Sequence, residues 1–454
     1  MKLESINPAT GERISTREVW QAAKVDAALA QARSVAPLWA DLPIAERCTR
    51  LRRAAVVLRE RHTKLARLIT LEMGKLLREA EAEIEKCAWV SEYYAEHAAG
   101  FLADELIASD AKKSLVTYQP LGTVLAIMPW NFPFWQVFRC AAPALAAGNT
   151  VLLKHASNVA ECALAMEQLF TDAGFPPGVF RALLISAAET EQVIADPRVH
   201  AVSLTGSEAA GRAVAALGGR HLKKTVLELG GSDPFVVLDD AELTSTVEAA
   251  VSARFLNGGQ SCIAAKRFIV VEELAELFLE QFKPRIESLK PGDPLNPATT
   301  LAPMAREDLR QQLHSQVQRS VVKGAKVVTG GGPLSGAGYF YAPTLLDWVT
   351  SGMPAYEEEL FGPVAAVIRA RDEDDALRIA NDSKYGLGGS VWTTDQARGE
   401  NFARRLACGA AFVNGVVKSD PRLPFGGIKA SGYGRELSLL GIREFVNAKT
   451  VWIK

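Results

Sequence analysis

One cysteine sits where a thiol could react. Cys262 lies in Phe255–Phe268, FLNGGQSCIAAKRF, directly after a Gly-Gly-Gln-Ser loop and before an apolar strand. Gly258 and Gly259 allow a bend that a Cβ would obstruct, so this thiol can face a cleft. Only the thiolate is a nucleophile, and a free cysteine is more often a small buried hydrophobe. Three other polar residues, Asn131, Lys154 and Glu228, fall on predicted turns or strand ends. Singly, each has a plain explanation: a turn former, a solvated charge, a strand-end surface residue.

The elements that must position them begin near residue 122. Thr123–Met128, Val151–Lys154, Ala201–Leu204 and Thr225–Leu229 read as short buried strands alternating with helices. They end in Pro129-Trp130-Asn131-Phe132-Pro133, in Thr205-Gly206-Ser207 and in Gly230-Gly231. Such alternation predicts an α/β fold with a doubly wound parallel sheet, and ligands bind where the carboxyl ends of its strands gather. Gly206 could present backbone N–H groups and a helix N-terminus to a phosphate, but its G-x-x-x-x-G spacing is not the dinucleotide fingerprint. After Gly231 a second α/β region follows, with strands at Phe235–Leu238, Phe268–Val271, Val364–Ile368, Gly389–Trp392 and Ala411–Asn414.

The first third, about 19–106, repeats apolar residues at helical spacing. Ser114–Pro120 then alternates as a β ribbon that needs a partner, either another subunit or the β-like end 444–454. With 454 residues the chain is long enough for two or three domains. A net charge of −1 without a basic run disfavours nucleic-acid binding, and no apolar stretch approaches a membrane span. The six cysteines are scattered and the six histidines form no ligand-spaced cluster, which suits a cytoplasmic protein without a metal.

Taken together, these residues belong to a recognisable set. The chain resembles the aldehyde dehydrogenase superfamily along almost its full length. The resemblance rests on PWNFP (129–133), LLKHAS (152–157), LTGS (204–207), LELGGSDPF (227–235), GGQSC (258–262), EELFGPV (358–364) and PFGGIKASGYGRE (424–436). It implies a Rossmann-type NAD(P)-binding domain (1–101 and 121–230), an α/β catalytic domain (231–431) and a β oligomerisation arm (102–120 and 432–454) of a homodimer or homotetramer. It implies that Cys262 attacks an aldehyde to form a thiohemiacetal, with Asn131 and the Cys262 N–H as oxyanion donors. Hydride loss then leaves a thioester, which water activated by Glu228 hydrolyses. For this the surroundings of Cys262 would have to favour the thiolate. Cofactor contacts would come from Trp130, Lys154, Ser157, Gly206, Ser207, Leu229, Glu359 and Phe361. A carboxylate at 157 would repel a 2′-phosphate; Ser157 does not, so NAD and NADP are both expected to bind.

The substrate is suggested by Arg139. It stands eight positions after Asn131, where succinate-semialdehyde dehydrogenases carry an Arg that could grip a substrate carboxylate. Ser419 resembles a carboxylate-contacting serine of those enzymes, and Trp135 and Phe425 would complete the pocket. Several stretches are similar to the shorter bacterial succinate-semialdehyde dehydrogenases that use NAD(P). Some relatives carry a second Arg six residues before the cysteine, where this chain has Leu256, and Cys140 replaces a common Lys. Alternative substrates are glutarate semialdehyde, or uncharged aldehydes held by an aromatic wall of Phe134, Trp135 and Phe138. Arg139 could also be an ordinary intraprotein ion pair.

Overall fold

Two mostly parallel sheets carry the loops in question, in a computed structural model that describes residues 2–454. The first sheet has the strand order Gly432–Tyr433, Lys224–Glu228, Ala201–Thr205, Thr123–Met128, Thr150–His155, Phe180–Ala182. All neighbours are parallel except Gly432–Tyr433. The second runs Lys326–Thr329, Thr344–Asp347, Val364–Ala370, Ala265–Val271, Asp233–Val237, Gly388–Trp392, Ala410–Val413, with only the first strand antiparallel. Central strands such as Asp233–Val237 (DPFVV) are buried throughout, as strands covered by helices on both faces must be.

The helical first third forms as its spacing predicts: Ala22–Asp41, Ile44–Glu60, His62–Met73 and Leu77–Phe101. The last of these packs against Trp135–Ala146, the helix that follows the 129–133 turn. Every residue of Trp135–Ala146 is buried. Its N-terminal amides are met by a carboxylate from the neighbouring helix, since Phe134 and Trp135 donate to Glu83 at 2.8 and 2.9 Å. An acid there also complements the helix dipole.

The ribbon Lys113–Pro120 finds its partner within the chain. Val446–Ile453 pairs with it antiparallel along its length, and Glu105–Leu106 lines its other edge. The C-terminal part of this arm starts later than residue 432. Gly432–Tyr433 joins the first sheet, and the helix Ser438–Arg443 packs beside Trp135–Ala146. The sequence reading also missed an N-terminal hairpin, Lys2–Ile6 with Arg13–Glu18. Among the described residues no helix is long and apolar enough to cross a membrane.

Candidate active site

Cys262 is presented by a loop whose shape comes from left-handed backbone. Asn257, Gly258 and Gly259 have φ of 55°, 62° and 75°, three consecutive residues in a region that L side chains rarely adopt. Buried cations then gather the loop's carbonyls. Lys266 Nζ donates to the carbonyls of Ser261, Cys262 and Ala264 at 2.9, 2.8 and 3.1 Å. Arg254 donates to Gly259, and to Ala265 and Gly362 at 2.9 Å each. Both side chains are wholly buried. Gln260 fastens the loop further, accepting from the Ala305 N–H at 2.8 Å and donating to the Pro303 carbonyl at 3.2 Å.

The 129–133 turn meets this loop. Asn131 Nδ2 donates to the Gln260 carbonyl at 2.9 Å, and Asn257 Nδ2 donates back to the Asn131 carbonyl at 2.8 Å. An amide nitrogen carries two hydrogens, so Asn131 retains a second donor. His155 braces the turn from behind, with ring nitrogens 3.1 Å from the Met128 carbonyl and 2.9 Å from the Pro133 carbonyl.

Two cavities share Cys262 and Gln136 as walls. One, of about 520 Å³, opens at the carboxyl ends of the first sheet. Trp130, Asn131, Gly206, Ser207, Leu229, Glu359 and Phe361 line it. Ser207 caps the helix Glu208–Arg220 there, Trp130 meets Phe361 edge-to-face, and Glu359 accepts from the Gly231 N–H at 3.0 Å. Lys154 and Ser157 stand at the end of the adjacent strand without lining this cavity.

The other cavity, of about 460 Å³, lies on the far side of the thiol. Phe132, Trp135, Arg139, Leu256, Ile263, Ser419 and Phe425 are among its walls. Of the expected aromatic wall only Trp135 lines it. Phe134 and Phe138 are fully buried in the core, and Phe132 and Phe425 take their place. Arg139 lines the cavity but is already ion-paired with Glu436, and its guanidinium stacks 4.6 Å from the Phe425 ring. The intraprotein pairing considered from sequence therefore exists in the fold.

Glu228 lines neither cavity. Its side chain is buried beside Gly426, where an added Cβ would stand 2.6 Å from Oε1, and neither carboxylate oxygen has a hydrogen-bond partner among the described residues. Burial, then repulsion from Glu436, holds this carboxyl well above the usual carboxylate range. The thiol departs from expectation as well. Burial pushes Cys262 up to about 12, against the pull of Arg139 and Lys266. The resting site thus favours the thiol over the thiolate, and attack requires a base to take its proton.

Sequence reasoning missed Lys266, Arg254, Gln136 and Lys86, although Lys266 and Arg254 flank the thiol loop on either side. Residue order carries no signal for them, because a side chain's burial becomes visible only in the fold. A profile of the aldehyde dehydrogenase family matches residues 1–451. A Synechocystis protein named probable succinate-semialdehyde dehydrogenase, NADP(+), is 49% identical over 453 residues, covering 100% of both chains. An Escherichia coli succinate semialdehyde dehydrogenase, NAD(P)+, is 48% identical, covering 99% of this chain and 97% of that one. The crystal structure of succinic semialdehyde dehydrogenase from Streptococcus pyogenes in complex with NADP+ superposes with a TM-score of 0.98, at 38% identity over 99% of each chain. With a family profile matched over nearly its whole length, full-length relatives at almost half identity and a solved member that superposes on it, the chain belongs to the aldehyde dehydrogenase family.

Proposed function

We propose that the chain oxidises succinate semialdehyde to succinate, with NADP or NAD as hydride acceptor. The observation that carries this is the position of Cys262, a wall common to a cavity at parallel strand ends and a second, cation-bearing cavity. Full-length relatives named for that substrate support it.

The first cavity fits a dinucleotide in its residue types. Gly206 and Ser207 at a helix N-terminus suit a pyrophosphate, Glu359 can accept from a ribose hydroxyl, and Trp130 and Phe361 offer ring edges. Lys154 and Ser157 would serve the adenosine end, and Ser157 accommodates a 2′-phosphate. When bound, the nicotinamide supplies the acceptor for the hydride that leaves the substrate carbon.

The chain's own residues do the rest. Cys262, once deprotonated, adds to the aldehyde carbonyl, and the second Asn131 hydrogen together with the Cys262 N–H receives the oxyanion. Glu228 is the base that activates water against the resulting thioester. Its buried oxygens have no hydrogen-bond partner to hold them, so in its deprotonated form the side chain is free to turn toward the thioester and take a proton from the attacking water.

Glutarate semialdehyde, one methylene longer, is a second substrate, because apolar pockets discriminate weakly at that level. The rings of Phe132, Trp135 and Phe425 favour uncharged aldehydes as the other reading. The arm, with Leu106 at 73% and Trp452 at 50% exposure, is the surface for a homodimer or homotetramer. Six free cysteines suit a reducing, cytoplasmic setting.

The test is nicotinamide reduction across a panel of semialdehydes and uncharged aldehydes, with each cofactor. Preference for succinate semialdehyde is expected. No turnover of any aldehyde would end the enzymatic reading, and preference for uncharged aldehydes would end the substrate assignment.

A further inference from the structure

Five cationic side chains line the cavity beyond Cys262: Lys75, Arg78, Lys86, Arg139 and Lys418. Most of their charge is committed. Lys75 is ion-paired with Glu83, Arg139 with Glu436, and Arg78 donates to the Thr299 carbonyl at 2.7 Å. Lys418 is exposed to solvent. Lys86, on the helix Leu77–Phe101, differs from all of these. Its Nζ lies 4.3 Å from the Trp135 ring centroid and donates to Ser419 Oγ at 2.8 Å, and among the described residues it forms no salt bridge. Of the acids on the cavity wall, Glu83 is paired as above and Glu79 accepts from the Asn257 N–H at 3.2 Å, while Asp420, next to Ser419, pairs with Arg422 at 2.6 Å.

The hydrogen-bond arithmetic at Ser419 adds a second constraint. Its Oγ accepts from Lys86 Nζ and also from Trp135 Nε1 at 3.2 Å. Ammonium and indole groups only donate, so Ser419 must accept both and its own O–H is left to donate elsewhere. Lys86 likewise keeps two further N–H groups. The cluster therefore offers donors and a net positive charge to the cavity, with its acceptors used up. A carboxylate is the ligand of complementary chemistry.

We propose that Lys86, acting with the Ser419 hydroxyl against Trp135, is an anchor for the substrate's carboxylate. This rests on the succinate-semialdehyde reading above. Arg139, held by its ion pair with Glu436, stands on the wall of the same cavity. The anchor is also sensitive to pH. Burial, then repulsion from Arg139, brings the Lys86 ammonium down to about 8, with Cys87, Glu83 and Asp420 opposing. Arg139 faces it from the helix Trp135–Ala146, Glu83 and Cys87 from its own helix, and Asp420 and Lys418 from the loop carrying Ser419. Above that pH the free enzyme loses the cation, so KM for succinate semialdehyde climbs while KM for an uncharged aldehyde does not follow it.

The experiment compares kcat/KM for succinate semialdehyde and for butyraldehyde, an uncharged aldehyde of equal carbon count, in wild type, Lys86→Met and Lys86→Arg. It also measures inhibition of butyraldehyde oxidation by succinate. In Lys86→Met the selectivity ratio should fall about 10–100-fold, the range for a lost charged hydrogen bond, and the succinate inhibition constant should rise similarly. Lys86→Arg should recover most of both. An equal loss for both aldehydes, or an unchanged ratio and inhibition constant, would overturn the proposal. Wild type that lacks the preference, yet is inhibited by succinate through Lys86, would refute the substrate reading and uphold the carboxylate anchor.

Discussion

Asn131 Nδ2 donates to the Gln260 carbonyl at 2.9 Å, tying the turn that ends a strand of one sheet to the thiol loop of the other. The bond spends one amide hydrogen on assembly and leaves the other for chemistry. Asn131→Ala is expected to lower kcat by about 10²–10³, the usual effect of deleting one oxyanion donor. Steady-state kinetics with any accepted aldehyde checks this, and a changed KM with kcat intact would place Asn131 in substrate binding instead.

Lys266 is wholly buried and its ammonium holds three carbonyls around Cys262. Lys266→Met leaves those acceptors without a charged donor, so a loss on the order of 3 kcal/mol in unfolding free energy is expected. Lys266 also pulls the Cys262 thiol down, so its removal should slow alkylation of Cys262 at fixed pH. Denaturant unfolding and timed alkylation read the two effects separately.

His155 is buried with both ring nitrogens engaged, and burial brings it down to about 4 from an unfolded value of 6.5. The unfolded chain takes up the proton first. His155 stabilisation is therefore complete above about pH 6.5 and is lost progressively as pH falls toward 4, a total on the order of 3 kcal/mol. His155→Asn should start less stable at pH 7 and show a flatter acid limb in urea denaturation between those values. An unchanged limb would mean that other groups govern acid unfolding.

The raised proton affinities of Cys262 and Glu228 set a direction for catalysis. Both groups gain their active, deprotonated forms as pH rises. With butyraldehyde, where no carboxylate anchor intervenes, the rate of the first turnover should increase steadily from pH 6 to pH 9. Rapid-mixing absorbance at the reduced nicotinamide band measures it. A rate that falls over this range would contradict a thiol whose proton affinity is raised.

Much of this was readable from residue order alone. The parallel strands announce themselves as apolar runs such as TVLAIM and DPFVV, and the first of these runs straight into the Pro- and Asn-bearing turn that holds Asn131. Helical phase decided what was misread. Phe134 and Phe138 sit four apart on the core side of Trp135–Ala146, while Trp135 and Arg139, also four apart, face the cavity. Composition could not distinguish those faces, because every residue of the helix is buried. Burial of charge was equally hidden. Arg254, Lys266 and Lys86 look like ordinary surface cations until folding encloses them. The N-terminal strands KLESI and RISTRE are mostly polar, the second largely exposed, and carried little apolar alternation to notice.

The most direct test is a single turnover of Glu228→Gln with succinate semialdehyde, followed by mass spectrometry of the peptide containing Cys262. Nicotinamide reduction should appear as a burst of one equivalent per active site, steady-state turnover should fall by about 10²–10⁴, and Cys262 should carry a succinyl thioester. A variant that turns over at the wild-type rate, or a burst that leaves Cys262 unmodified, would contradict the account.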